Sequence, residues 1–86
     1  MELVFRADAG HAWLAVSMDW LRELGIADKV SKYSYRKNNI AYLEEDCDAS
    51  LLINALREAG HEVTCREEYE GERSVIRSYL RYWSSL

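Results

Sequence analysis

Carboxylates dominate the residues of this chain that could do chemistry. Four stand in the run Glu44-Glu45-Asp46-Cys47-Asp48, and Glu67, Glu68, Glu70 and Glu72 continue the acidic character further on. Such a run suits a helix N-terminus, where side-chain oxygens cap free amides and negative charge complements the macrodipole. It equally suits a solvent-facing patch. Read that way, Glu44, Glu45, Asp46 and Asp48, with Glu67 and Glu68, would dock on a basic groove of a partner protein, the type of groove that otherwise neutralises phosphates. A divalent-cation loop fits poorly, because the run lacks the spaced ligands and central glycine of an EF-hand.

The remaining constellations point away from catalysis. His11, His61, Cys47 and Cys65 have none of the short spacings of a zinc site. Both histidines follow a glycine and read as turn residues. Acidic neighbours around each cysteine raise a thiol pKa and oppose thiolate chemistry. No GxSxG, phosphate-binding glycine loop or HExxH is present, and no enzyme, metal or cofactor is expected. Lys29, Lys32, Tyr33, Tyr35, Arg36 and Lys37 interleave cations with stackable rings, a pattern that can bind single-stranded nucleic acid on a sheet face. The plainer reading packs the tyrosines inward and leaves the lysines to solvate an edge. Arg73, Arg77 and Arg81 recur every four residues, so a helix there would carry a guanidinium row that calls for acids alongside.

The elements that must position these groups are short. Leu3–Ala7 and Ala12–Val16 read as a hairpin about Asp8-Ala9-Gly10-His11. Ser17 caps a two-turn helix that buries Met18, Leu21 and Leu24 and stops at Gly25, with Ile26 as the contact beyond the stop. Val30 to Leu43 forms a second hairpin about Lys37-Asn38-Asn39, with Tyr33 and Tyr35 on one side and Ser34 and Arg36 on the other. Asp46 to Gly60 is a helix capped by Asp46 or Asp48, with an apolar stripe of Leu51, Leu52, Ala55, Leu56 and Ala59. Glu62–Arg66 alternates as a fifth strand with Val63 and Cys65 inward. Glu72–Trp83 reads as a closing amphipathic helix with Ile76, Tyr79, Leu80 and Trp83 on one face. The order ββ-α-ββ-α-β-α gives a single α+β domain over residues 1–86, with a mainly antiparallel sheet of about five strands and helices on one face. The apolar end of the chain (Tyr79, Leu80, Tyr82, Trp83, Leu86) either completes the core or forms a homodimer seam on the last helix.

Some of these residues recur as a pattern. His11-Ala12-Trp13-Leu14-Ala15-Val16, Leu24-Gly25-Ile26, Lys29 to Tyr35 and the string Tyr42-Leu43-Glu44-Glu45-Asp46-Cys47-Asp48 resemble a family of small, uncharacterised phage and prophage proteins. Ala12 stands where that family tends to have glycine, and Ser17 where it tends to have proline. The resemblance implies a mobile-element origin, no enzymatic activity, and a role such as inhibition of a host defence complex in the manner of an anti-CRISPR protein. It assigns no residue a role.

Composition agrees with a binding module. The chain has 86 residues, 49% hydrophobic and 30% charged, with ten aromatics, no proline and a net charge of −4. That apolar content supports a folded core at a length near the lower limit for one domain. Residues 1–43 carry six Lys/Arg against five Asp/Glu, whereas 44–86 carry five against ten. A pI near 5.1 argues against general nucleic-acid or anionic-membrane binding. No apolar run reaches membrane-span length, no signal peptide is evident, and two cysteines without CxxC spacing suit a reduced cytoplasm. The expectation is therefore a non-catalytic protein whose acidic stretch faces solvent and engages a host protein with a basic groove, with the Lys29–Lys37 hairpin as the alternative nucleic-acid surface.

Overall fold

The computed structural model describes residues 1–85. Strands β1 (Glu2–Ala7) and β2 (Ala12–Ser17) form the expected hairpin, with Phe5 opposite Leu14 and Arg6 opposite Trp13. Helix α1 (Met18–Glu23) follows at once, its first turn capped by the Ser17 hydroxyl, which accepts from the Asp19 amide at 3.1 Å. Gly25 takes φ +72°, and the Ile26 amide reaches back to the Leu21 carbonyl at 2.9 Å. That left-handed stop satisfies end carbonyls and drops Ile26 into the core. Strands β3 (Tyr35–Lys37) and β4 (Ile40–Glu44) turn about Asn38, a residue type that tolerates its positive φ of 55°. Helix α2 (Ala49–Glu58) closes at Gly60 in the same manner, the His61 amide bonding the Leu56 carbonyl at 3.0 Å.

The domain is α+β, with a six-stranded mixed sheet in the order β5-β1-β2-β4-β3-β6. Three expectations change here. β5 (Thr64–Tyr69) starts later than Glu62 and pairs parallel to β1, because α2 carries the chain back across one face before it re-enters beside β1. It is an edge strand exposed along its whole length, so Cys65 faces solvent rather than the core. The closing helix does not form. Residues 75–78 make a single 3₁₀ turn, Leu80–Arg81 add a two-residue strand β6 against β3, and Tyr82–Ser85 end in another 3₁₀ turn.

Both faces of the sheet are covered, by different means. Leu14 and Val16 of β2, with Ala41 and Leu43 of β4, meet Met18 and Leu21 of α1 and Leu52 and Leu56 of α2. On the opposite face Trp13, Tyr35 and Tyr42 pack under Ile76 from the C-terminal segment. That segment crosses the face, pairs with the β3 edge and passes around it, so that Tyr82 enters the helix-side core and donates its hydroxyl to the Ala27 carbonyl at 2.6 Å. A single helical stripe cannot serve two cores on opposite sides of a sheet. Val75, Ile76, Tyr79 and Tyr82 also include residue types that favour extended backbone. The homodimer seam expected on a closing helix therefore loses its helix, and one of its apolar residues, Tyr82, is internal while Leu80 and Trp83 are exposed. Leu86 lies outside the described residues.

Tyr82 is the plug that fastens the chain end. Replacing it with alanine is expected to cost about 3–5 kcal/mol in urea unfolding, as for other buried aromatics. Tyr82→Phe keeps the ring, loses the bond to Ala27, and should cost only about 1 kcal/mol. Equal losses for the two variants would show that the ring is not part of the core.

Candidate functional site

One end of the sheet gathers most of the polar side chains of interest. The β1–β2 turn, the connection from β4 to α2 and the end of β5 all lie there, joined by the Glu45 amide bonding the Ala12 carbonyl at 3.0 Å. Its organising group is Asp8, which is fully buried. The Asp8 carboxylate accepts from the amides of Gly10 and His11 at 3.0 Å each, from the Ser74 amide at 2.9 Å and from two nitrogens of Arg77, Nη2 at 2.9 Å. The Arg77 guanidinium holds the Asp8 carboxyl far below the usual carboxylate range; burial opposes this, and the three amides reinforce it. Beside it, Glu70 bonds both the Ser74 hydroxyl and Arg6. Burial would raise the Glu70 pKa, but those two partners outweigh it and leave the value lowered.

The acidic run divides according to backbone position. Glu44 ends β4 on the same face as Tyr42 and is only 7% exposed. Its Oε2 accepts from the amides of Asp46 and Cys47 at 2.8 and 2.9 Å, so it caps the turn that precedes α2. Asp48 is 2% exposed and stands at the N-cap position without a capping bond. Its carboxylate instead takes the Ser31 amide at 2.9 Å, the Ser31 hydroxyl at 2.7 Å and the buried Ser34 hydroxyl. The expectation that Glu44 and Asp48 face solvent is thereby corrected: both are buried, with Oε2 of Glu44 and both Asp48 oxygens committed to amides and hydroxyls of their own chain. Glu68 is exposed but lies 3.0 Å from Arg66. Glu45, Asp46 and Glu67 remain, all exposed, all lining one polar groove of about 220 Å³ at the β1–β2 turn, and all without a salt bridge among the described residues.

The arginine row also disperses. Arg77 serves Asp8 and stands 5.3 Å over the Trp13 ring, while Arg81 stands 4.4 Å over Tyr35. Glu67, Glu68 and Glu70 screen neither of them. A second groove of about 300 Å³ opens between these groups, its walls including Trp13, Tyr33, Tyr35 and both arginines. His11, Glu44 and Asp46 line both grooves; His11 Nδ1 lies 3.5 Å from Glu44 Oε1.

The basic–aromatic hairpin does not form one surface. Tyr35 is buried, Arg36 lies on the opposite face of β3 from Tyr35, and Lys37 stands over Tyr79 at 4.9 Å. Lys29 sits on a separate 3₁₀ turn. Lys32 and Tyr33 stay together and are joined by two residues that sequence reasoning assigned to a helix, Arg81 and Trp83. Cys47 is an exposed thiol whose pKa is raised by its hydrogen bond to Glu44, then by burial and the neighbouring acids. His61 packs edge-on against Trp20. Among the described residues no group of three or more His, Cys, Asp or Glu is placed to share a metal ion, and no helix is long and apolar enough to cross a membrane.

No family model, no curated protein and no solved structure matches this chain.

Asp8 supplies a pH signature. An unfolded Asp titrates near 3.9, and the folded Asp8 carboxyl lies lower, so its contribution is complete above that pH and drains away as acid approaches the folded value. Asp8→Asn should be among the most destabilising single changes in the chain, exceeding Ser74→Ala. In urea unfolding, the wild-type advantage over Asp8→Asn should be large at pH 7 and shrink steadily below about pH 4. A gap independent of pH would mean that the carboxylate charge is not what anchors the chain end.

Proposed function

We propose that this protein acts by binding rather than catalysis, docking through the carboxylates of Glu45, Asp46 and Glu67 onto a basic surface of a partner protein. The observation that carries this reading is that three exposed acids without cationic partners converge on one groove, whereas the other acids of the same stretch are spent on internal bonds. Unpaired surface carboxylates contribute little to the fold, but they create a local field that speeds encounter with a cationic partner. The resemblance of His11–Asp48 to small phage and prophage proteins, read from the sequence alone, implies a partner in a host cell. A nucleic-acid-binding component of a defence complex, whose phosphate groove is basic, has the right chemistry. The net charge of −4 favours this over direct nucleic-acid binding.

The test begins with affinity capture from host lysate and moves to the purified partner. The triple variant Glu45→Lys, Asp46→Lys, Glu67→Lys should retain the wild-type circular dichroism spectrum, because all three residues are exposed. Its affinity for the partner should fall at least tenfold, and wild-type association should slow as salt is raised. An unchanged affinity would refute the reading. Fluorescence titration with oligo-dT at low ionic strength should be flat. Saturable binding weakened by Lys32→Ala and Tyr33→Ala would instead assign the protein to nucleic acid.

A further inference from the structure

The aromatic groove carries chemistry that docking by Glu45 and Glu67 does not use. Trp13 forms part of its lining and is 2% exposed, yet its indole Nε1 has no hydrogen-bond partner among the described residues. Buried polar groups are nearly always paired, and a buried donor without an acceptor costs free energy, so Trp13 marks a point in the groove wall where a small shift that admits an acceptor is favoured. Arg81 stands over Tyr35 and spends one guanidinium nitrogen, Nη1, on the Tyr33 carbonyl at 3.1 Å. A guanidinium has five donors, so most of those on Arg81 are available for a planar, two-oxygen acceptor. Asp46 lines the same groove with an exposed carboxylate that can accept from a cation, and Glu44 lines it too, with Oε1 at 3.5 Å from His11 Nδ1.

The two charged ends come from different strands. Glu44 ends β4 and Asp46 follows it, while Arg81 belongs to β6, two places further along the sheet. Neighbouring strands lie about 4.8 Å apart, and Arg81 is level with Tyr35 and Tyr42, two residues short of Glu44, which places the backbones of Arg81 and Glu44 roughly 12 Å from each other. Side chains reaching inward from both shorten that span to the distance between the ends of a very short peptide. Between the ends lie the rings of Tyr33 and Tyr35, with Tyr33 half exposed, so the floor suits an apolar side chain. The volume of about 300 Å³ is at the small end of ligand pockets.

From these observations we infer that the groove binds a small zwitterionic peptide of about two residues, its carboxylate on Arg81 beside the Trp13 indole, its ammonium on Asp46 and Glu44, and an apolar side chain on the tyrosine rings. This site shares Asp46 with the docking surface but takes its other anchors, Arg81 and the aromatic rings, from residues that the docking reading does not use.

Alanyl-phenylalanine is the probe, and the assigned Trp13 indole N–H cross-peak in the ¹H–¹⁵N spectrum of the full chain is the readout. The wild type should show a saturable shift at millimolar peptide. Arg81→Gln, an exposed change that spares the fold, should weaken binding about tenfold, and so should acetylating or amidating the peptide. A protein that leaves the Trp13 signal unmoved, or a shift that Arg81→Gln and both capped peptides leave intact, would overturn the assignment. Loss on amidation without loss on acetylation would also overturn it, because the ligand would then be a simple carboxylate. The double variant Glu45→Lys, Glu67→Lys leaves Arg81 and Asp46 in place, and Arg81→Gln leaves all three docking carboxylates, so failure of protein capture and failure of peptide binding are distinguishable.

Discussion

The architecture turns on one buried carboxylate. Asp8 directly follows the first strand of the chain, and its two oxygens collect donors from both its own turn and residues 74–77, more than sixty positions later. An ion buried in an 86-residue domain is tolerable only when its hydrogen-bonding capacity is filled, because desolvation would otherwise outweigh any Coulombic gain. Here the filling groups are the pieces that must meet. Removing any of them strands the charge, so the arrangement ties the β1–β2 turn to the chain end in an all-or-none manner. Arg77, held by Asp8, then stands over Trp13 and fixes one wall of the aromatic groove.

That tether makes a two-sided sheet possible in so short a chain. Two helices suffice to cover only one face, and a bare second face of Trp13, Tyr35 and Tyr42 would leave a large apolar surface in water. The C-terminal segment covers it without regular structure. It does so by placing single residues where each is needed: Glu70 on Arg6, Ser74 and Arg77 on Asp8, Ile76 on the aromatics, and Tyr82 through to the other core. A helix would have brought its residues to one side at a fixed period. The extended strap can change faces, and it leaves Leu80 and Trp83 exposed as a consequence.

What the sequence made legible follows the range of the interactions. The first hairpin, the Asn38 turn of the second, the Ser17 cap and the glycine stops at Gly25 and Gly60 depend on residues within a few positions of one another, and all of them form. The first arm of the second hairpin is only Tyr35–Lys37, because residues 30–34, Tyr33 among them, do not join the sheet and turn toward Asp48 through Ser31 and Ser34. The parallel pairing of β5 with β1 and the course of the last twelve residues depend on partners dozens of positions away. Ile76, Tyr79, Leu80 and Trp83 do recur at helical spacing, but no local signal reveals that Ile76 and Tyr82 serve cores on opposite faces. Two signals were present and outweighed. Ala12-Trp13-Leu14-Ala15-Val16 is apolar at every position, the pattern of a strand buried on both sides, which implies that something covers the second face. Glu44 shares strand parity with Tyr42, which directs it toward that covered face rather than into solvent.

The same parity argument governs how charge should be read in a small protein. A net charge counts acids equally, yet each carboxylate has a small number of lone pairs, and those engaged by amides or hydroxyls project little field outward. In the stretch from Glu44 to Asp48, the two ends are buried by the fold and the exposed acids Glu45 and Asp46 remain available, with Glu67 contributed from the edge strand β5. The cations divide likewise: Arg6 is bound to the partly buried Glu70 and Arg77 to the buried Asp8, while Arg81 keeps donors to spare beside Tyr35. Binding capacity therefore resides in the groups that folding leaves unsatisfied. On this molecule they collect at one end of the sheet, where an acidic groove and an aromatic groove share His11, Glu44 and Asp46 as a common wall.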